Sequence, residues 1–162
     1  MKRMLKALTL TALLLLCAVL LPLPRAEAAD SGACGDSLSW ELDDEGNLTI
    51  RGTGAMWDYA FSGNTAPWGQ EIKTVTLETG VASIGGYAFY RCSGLTGITI
   101  PEGVTSIGDY ALYGCSGLTE ITIPESVTSI GRDAFSDCSG LTEITIPESV
   151  TSIGNSDRKS VV

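Results

Sequence analysis

The hydrophobic positions between Val81 and Ser149 recur at a fixed interval, through three copies of one 23-residue unit. The copies begin at Val81, Val104 and Val127, and the second and third differ at five positions only. A fixed period of this length predicts a solenoid, in which each coil buries its apolar face only against its neighbours.

Each unit contains an L-x-x-I-x-I pattern, which in the first copy is formed by Leu95, Ile98 and Ile100. The alternation at its end predicts a half-buried strand. Pro101 follows, and it should end the strand because proline has no amide hydrogen for the ladder. The same strand is expected in all three copies.

The rest of the unit predicts two further elements. A V-x-x-I-G segment, at 104–108 in the second copy, is suited to a second short extended segment. The stretch 109–115 is long enough for about one to two helical turns. From those turns Ala111, Leu112 and Cys115 would face inward.

Upstream, residues Ser37 to Gly54 have the pattern of a β-hairpin. Leu38, Trp40 and Leu42 alternate with polar residues, and a turn-forming segment at 43–47 separates them from a second alternating run. A solenoid exposes apolar surface and open strand edges at its first coil. We therefore expect this hairpin to cap that end.

The segment from Met56 to Gln70 is the most aromatic part of the chain. It contains Trp57, Tyr59, Phe61 and Trp68. These rings could form a sugar-stacking platform, but filling the junction between cap and first coil is favoured because large aromatics usually bury much of their area.

The repeated pattern L-T-x-I-T-I-P-x-x-V-T-S-I-G-x-x-A-F-x-x-C, from Ile72 to Gly154, resembles the BspA-like leucine-rich repeat of secreted and surface proteins. The stretch from Cys34 to Tyr59 resembles the segment that often precedes such repeats. The resemblance implies an interaction module used for adhesion, and no substrate. The resemblance and the repeated pattern together predict a mainly β repeat solenoid, wound as a leucine-rich-repeat-like right-handed coil. Each repeat should contain one short strand, a second short extended segment and a short helical turn. The N-terminal β-hairpin should cap the solenoid.

The first residues have the form of a secretory signal. A basic start precedes an apolar run from Ala7 to Leu23, and Ala26-Glu27-Ala28 supplies the small residues of a cleavage site. A retained membrane anchor is the disfavoured alternative, since the run is near the lower length limit for spanning a bilayer. We expect a secreted, extracellular or cell-surface protein whose mature chain has no membrane span.

The predicted organisation has four segments. They are a signal peptide at 1–28, the hairpin cap and aromatic junction at 29–71, the solenoid at 72–154, and a tail at 155–162. The tail breaks the repeat, and Asp157 to Val162 match one reading frame of a common sequencing adapter. Our hypothesis is that the chain is truncated and that its uncapped last coil self-associates.

The charge of the chain excludes several partners. Its ten basic and nineteen acidic residues give a formal net charge of −9, and cleavage of the signal would remove four of the basic ones. Nucleic acids and anionic bilayers both require clustered lysine and arginine. The acidic residues lack the spacing of a calcium loop, so solvated carboxylates are favoured and no metal or cofactor is predicted.

Cys92, Cys115 and Cys138 occupy the same position of successive units and should stack in successive coils. Their side chains would point the same way, so buried free thiols are favoured over a disulfide. Zinc is less favoured still, because the chain has no histidine and no C-x-x-C pair. Cys34 is left as either a free thiol or the partner of something outside the chain.

The sequence offers no basis for catalysis. Without histidine, a Ser-His-Asp or Cys-His site cannot form. Glu120 and Glu143 would stack about 4.8 Å apart, but on an open, solvated face with nothing to separate their pKa values. We predict that the protein is not an enzyme.

The outward positions of the predicted strands are the first candidate for ligand binding. They are Thr96, Gly97, Thr99, Thr119, Glu120, Thr122, Thr142, Glu143 and Thr145. Stacked threonines also stabilise a sheet through cross-strand contacts, which is an equally good account of them. Tyr110, Tyr113 and Arg132 are secondary candidates, although drift between duplicated units explains them as well.

Two functional classes stay open. The first is a non-catalytic recognition module that binds an extracellular protein or glycan. The second is a passive structural stalk that displays a missing C-terminal domain.

Overall fold

The computed structural model describes residues 30–154, so the predicted signal peptide and the tail at 155–162 lie outside the described residues. Within this range the chain forms ten strands. They are β1 (Asp30–Ala33), β2 (Leu38–Leu42), β3 (Asn47–Gly52), β4 (Gly54–Ala55), β5 (Thr74–Leu77), β6 (Val81–Ile84), β7 (Gly97–Thr99), β8 (Ser106–Ile107), β9 (Ser129–Ile130) and β10 (Ser152–Ile153).

These strands form two five-stranded sheets on the two sides of a mainly β solenoid. One has the order β1-β2-β3-β5-β7 and the other the order β10-β9-β8-β6-β4, so the chain makes about five turns. Parallel pairing places Ser83 beside Ser106, Ser106 beside Ser129, and Ser129 beside Ser152. The interval between repeated units is therefore the length of one coil, as predicted.

The predicted hairpin is present as β2 and β3, which pair antiparallel. The Asp43 carboxylate closes its loop by accepting hydrogen bonds from the backbone and side-chain amides of Asn47, at 2.8 and 2.9 Å. These bonds lower the pKa of Asp43. On its far edge β3 pairs in parallel with β5, so the hairpin continues directly into the first coil. Strand β1, which adds a further edge to β2, was not predicted.

The prediction of a regular strand in every L-x-x-I-x-I run is correct only for the first copy. There the run forms β7, whereas 118–123 and 141–146 contain no strand. The hairpin edge provides a regular strand for β5 to pair with, and this pairing extends one coil further, to β7. Later coils are held instead by the second extended segment, through β6, β8, β9 and β10.

The predicted helical turn is wrong, and no helix occurs in residues 30–154. The backbone at Tyr87, Tyr110 and Asp133 has φ of 55°, 55° and 51°, in the left-handed region that interrupts a right-handed helix. Alternate amides bond to the following coil instead, as when Leu112 N–H donates to Ala134 O at 2.9 Å. The segment is thus a series of turns that joins neighbouring coils.

The core runs along the inside of the coils in columns of equivalent residues. Ile84, Ile107 and Ile130 form a buried column, whereas Ile98 and Ile121 are only half-buried. The prediction that Ala111, Leu112 and Cys115 face inward is confirmed, since all three are buried. Removing such apolar side chains from water stabilises the fold. In a solenoid this burial occurs between neighbouring coils, because each coil contacts only the coils next to it.

The prediction of buried thiols is also confirmed, and the structure adds a hydrogen bond to it. Cys115 Sγ donates to Phe89 O at 3.2 Å, and Cys138 Sγ donates to Leu112 O at 3.1 Å, in each case on the preceding coil. Cys34, which the sequence left open, is a buried free thiol. The repeat cysteines therefore join coils through S–H···O contacts.

Burial raises the pKa of Cys34 to about 11 and that of Cys92 to about 12. Since an exposed thiol has a pKa of about 8.5, we expect both to alkylate more than about 100-fold more slowly than a free thiol at pH 8. Iodoacetamide labelling with peptide mapping, in buffer and in denaturant, measures this difference. Rapid labelling of Cys34 in the folded chain would contradict it.

The same shifts predict a pH dependence of stability. The folded chain keeps these thiol protons to a higher pH than the unfolded chain does. These two thiols should therefore leave the free energy of unfolding unchanged below about pH 8. They should lower it as the pH rises from about 8.5 towards 11.

Candidate recognition surfaces

The threonine face is the exposed side of the first sheet and of the coils that continue it. In its β-strands the register aligns Thr49, Thr76 and Thr99 in one column, and Asn47, Thr74 and Gly97 in the next. The alternate residues, such as Val75 and Leu77, are buried. The pleat of these strands therefore presents hydroxyl groups to solvent over the cap and the first coils alike.

Eight of the nine primary candidate residues are exposed, and Gly97 is half-buried. Glu120 and Thr122 line the same shallow groove as Thr74, Thr76 and Thr99. The structure thus brings together Gly97, Thr99, Glu120 and Thr122, four of the six candidates of the first two copies. Thr142, Glu143 and Thr145 are exposed one coil further on.

Some threonine hydroxyls are occupied by structural hydrogen bonds and others are not. Thr96 Oγ1 donates to Lys73 O at 3.1 Å, and on the opposite sheet Thr128 Oγ1 donates to Thr105 O at 3.2 Å. Thr99 and Thr122 make no side-chain hydrogen bond within residues 30–154. Their hydroxyls are available to a ligand, whereas Thr96 has a structural role.

The tyrosine surface lies on the turn side of the first two repeats and consists of Tyr87, Tyr90, Tyr110 and Tyr113. Tyr87 stacks on Tyr110 with ring centroids 4.9 Å apart, and Tyr90 stacks on Tyr113 at 5.3 Å. The two stacks also contact each other, with centroid distances of 5.4 and 5.9 Å. The four rings form a grid in which two secondary candidates, Tyr110 and Tyr113, take part.

Two tyrosines of this surface, Tyr87 and Tyr113, have a hydroxyl pKa above its ordinary value. Burial, with a smaller effect of Tyr110, raises the pKa of Tyr87. A hydrogen bond to the Asp137 carboxylate raises the pKa of Tyr113. The hydroxyls of Tyr87 and Tyr113 therefore stay protonated well above neutral pH, and both side chains are neutral.

Arg132, the third secondary candidate, is exposed, and its backbone N–H donates to Asp109 Oδ1 at 2.7 Å. It does not contact the ring grid through any aromatic interaction in the described residues. Arg91 does, because its Cζ lies 5.4 Å from the centroid of the Tyr90 ring.

The aromatic junction segment divides into two halves. Tyr59 and Trp68 are buried and fill the junction, as the favoured interpretation predicts. Trp57 and Phe61, in contrast, are 45% and 65% exposed. The alternative of a ligand platform therefore applies to these two rings only.

The sequence interpretation did not single out Tyr87, Tyr90 or Arg91 as site residues, and it named Phe61 only in the less favoured alternative of a sugar-stacking platform. A signal was available for the tyrosines, because Tyr87 and Tyr90 occupy the same positions of the first unit as Tyr110 and Tyr113 do of the second. In a solenoid, equal positions in the repeat place side chains in one column. The aromatic density of 56–70 was the signal for Phe61, but nothing in the sequence indicated that its ring would meet Tyr90.

The described residues hold no cluster of His, Cys, Asp or Glu side chains suited to a metal ion. Within the same residues, no helix is long and apolar enough to cross a bilayer.

A family model described as the BspA type leucine rich repeat region (6 copies) matches residues 58–157. The chain belongs to the BspA-type leucine-rich repeat family. No similar sequence was found among curated proteins. The match covers the whole described solenoid, so the coil defined by the strand register is the repeat of this family.

Solved bacterial leucine-rich repeat structures resemble the BspA-type chain. A protein from Eubacterium ventriosum is 30% identical with a TM-score of 0.62, and the match covers 78% of this chain and 40% of that one. One from T. pallidum is 26% identical with a TM-score of 0.56, over 78% and 65%. One from Bacteroides ovatus is 28% identical with a TM-score of 0.54, over 77% and 38%. The chain thus spans less than two thirds of the length of each.

These similarities support a repeat-based protein-interaction module, since leucine-rich repeat proteins bind other proteins and families of this type are generally non-catalytic. Solenoid repeats suit that role because they create extended surfaces from small units.

Proposed function

We propose that this BspA-type chain is a recognition module displayed outside a bacterial cell, where it binds a protein through the threonine face. The observation that carries the proposal is the column Thr49, Thr76 and Thr99, which runs in register from the hairpin into the coils and is exposed at Thr76 and Thr99. The leader-like sequence at 1–28 supports export.

The chemistry of the threonine face favours a partner with a basic patch. Thr99 and Thr122 contribute uncharged hydroxyls, and Glu120 and Glu143 add two carboxylates at equivalent positions of adjacent repeats. Neither glutamate forms an ion pair within residues 30–154, where the salt bridge present joins Arg51 and Glu41. Complementary charge on a partner would direct association and set orientation.

The test is binding of the whole chain to purified extracellular matrix and mucosal proteins, before and after the double substitution Glu120→Gln and Glu143→Gln. We expect the substituted chain to bind about tenfold more weakly and with a reduced dependence on salt, mainly through slower association. Surface plasmon resonance at two salt concentrations measures both.

The matched control is Glu125→Gln with Glu148→Gln, which changes the same charge at exposed positions in the turns after the predicted strands. It should leave binding within about twofold if orientation on the threonine face matters. If both double variants lost the same affinity, the effect would come from net charge alone, and the result would count against binding at the threonine face. If the unsubstituted chain bound none of these proteins, the result would favour the passive stalk.

A further inference from the structure

A pocket lies between the junction segment and the first repeat, beside the tyrosine surface. Its volume is about 380 Å³, within the range of small-ligand sites. Its principal lining residues are Phe61, Thr65, Gln70, Tyr87, Tyr90 and Arg91. We call it the junction pocket.

One wall of the junction pocket is an aromatic ring that the fold does not bury. Phe61 is 65% exposed and meets Tyr90 edge to face, with centroids 5.7 Å apart and ring planes at 80°. In this geometry one ring of the pair offers only its edge to the other, which leaves aromatic surface for a further contact. A ligand with a flat apolar side would cover that surface.

Arg91 supplies a cation to the same pocket. Its guanidinium lies over the Tyr90 ring and forms no ion pair within residues 30–154. Stacking on an aromatic ring leaves the in-plane N–H groups of a guanidinium free for a bidentate acceptor. A carboxylate is the acceptor that matches this fork.

The backbone at Arg91 is held in an unfavourable conformation. Its φ is 57°, whereas the equivalent position of the second repeat is Gly114, with φ of 73°. A glycine adopts this conformation without steric cost, and arginine does not. The third repeat has Asp137 at this position, with φ of 60°, so the fold accepts different residues here and does not itself require an arginine.

A third group adds a directed hydrogen-bond acceptor. Gln70 Nε2 donates to Tyr90 O at 3.1 Å, and this bond fixes the orientation of the side-chain amide. Its carbonyl oxygen is left to accept a hydrogen bond from a hydroxyl group. Thr65 contributes a further hydroxyl to the lining.

We propose that the junction pocket binds a saccharide unit that carries a carboxylate, of the hexuronic or sialic acid class. The apolar face of the sugar ring covers Phe61, its carboxylate pairs with Arg91, and a hydroxyl donates to Gln70. This site is separate from the threonine face, so protein binding and saccharide binding can be measured independently.

The test is titration of the whole chain with four oligosaccharides by isothermal calorimetry. The acidic probes are 3′-sialyllactose and tri-galacturonic acid, and their neutral counterparts are lactose and maltotriose. At least one acidic probe should bind roughly tenfold or more tightly than its neutral counterpart, as expected for a charge-assisted bidentate contact. Binding of neither acidic probe in preference to its counterpart would overturn the proposal.

Two substitutions locate the binding and separate it from stability. Arg91→Gly copies Gly114, so it should unfold at the same temperature as the original chain or a higher one while losing about tenfold or more in affinity. Phe61→Ala should lose a similar factor. Arg132→Gln and Trp57→Ala, an arginine and an exposed ring outside the pocket, should remain within about twofold.

The outcomes are distinct from those of the protein-binding test. Saccharide binding that survives Arg91→Gly, or that is lost equally in Trp57→Ala, would exclude the junction pocket. The double glutamine variant of the threonine face should bind the acidic saccharide unchanged, and loss of saccharide binding in that variant would also contradict the proposal.

Discussion

Replacing Gly108 by alanine is expected to destabilise the chain by at least about 2 kcal/mol, because the new methyl group would collide with the neighbouring coil. A Cβ at this position would lie 2.5 Å from Gly86 N and 2.8 Å from Gly85 C. Both are backbone atoms, which cannot rotate away. Relief would require the coils to separate, and the hydrogen bond from Gly108 N–H to Ile84 O, now 2.9 Å, would weaken with that movement.

Gly97→Ala is the matched control for Gly108→Ala. Its Cβ would meet no atom within 4 Å, and its φ lies outside the left-handed region. The change should leave stability within about 0.5 kcal/mol. Urea denaturation followed by circular dichroism measures both variants. Similar midpoints for the two would contradict the close approach of the coils at the glycine column.

Trp68→Ala is expected to cost about 3–5 kcal/mol, the range for removing a large aromatic side chain from a core. Trp68 is buried at the junction. The centroid of its ring lies 5.9 Å from that of Trp40, 5.4 Å from that of Tyr59 and 5.8 Å from that of Phe89. Its Nε1–H donates to Ala88 O at 2.9 Å. The substitution would leave both a cavity and an unpaired carbonyl between the hairpin and the first repeat.

Two other tryptophan variants test this account of the junction. Trp57→Ala removes a ring that is 45% exposed and should change stability by less than about 1 kcal/mol. Trp68→Phe keeps most of the volume but loses the donor, so its cost should fall between the two, at about 1–2 kcal/mol. Thermal unfolding by calorimetry ranks the three. An equal cost for Trp68→Ala and Trp57→Ala would show that Trp68 does not join cap and solenoid.

The parts of the fold that depend on periodicity could be predicted from the sequence. Residues at equal spacing in a solenoid occupy equal environments, so Leu112 and Cys115 could be placed inside once the repeat was found. The hairpin followed from the alternation at Trp40 and from turn formers at its centre, including Asp43.

The path of the backbone within each coil could not be predicted in the same way. The left-handed conformations at Tyr87 and Tyr110 belong to residue types that rarely adopt them, so composition favoured a helical turn. Bonds between coils, such as that from Tyr110 N–H to Arg132 O at 2.8 Å, stabilise them instead. This is tertiary context overriding local preference.

The glycine of V-x-x-I-G illustrates a related difference. From the sequence alone, a glycine that recurs at the end of an extended segment indicates a backbone conformation that a Cβ would obstruct. In Gly108 the obstruction comes from the backbone of the adjacent coil, and its φ lies outside the left-handed region. Such a contact between equivalent segments of successive coils depends on coil spacing, which becomes known only when the coils are stacked.

The candidate surfaces likewise differ in how far the sequence predicts them. The threonine face follows from strand alternation, and its threonine column is visible in the sequence. The junction pocket requires Phe61 to meet Tyr90, although the two lie far apart in the chain and belong to no common pattern. A contact of this kind depends on how the irregular junction segment folds over the first repeat.

Amide hydrogen exchange measured by NMR tests the stacking of the repeated coils most directly. In the structure Thr128 N–H donates to Thr105 O at 2.9 Å and Gly131 N–H donates to Ile107 O at 2.8 Å, each across one coil. These two amides should be strongly protected, and the Glu125 amide, which has no such partner in residues 30–154, should exchange rapidly. Rapid exchange of Thr128 and Gly131 in the folded chain would contradict the stacked-coil account.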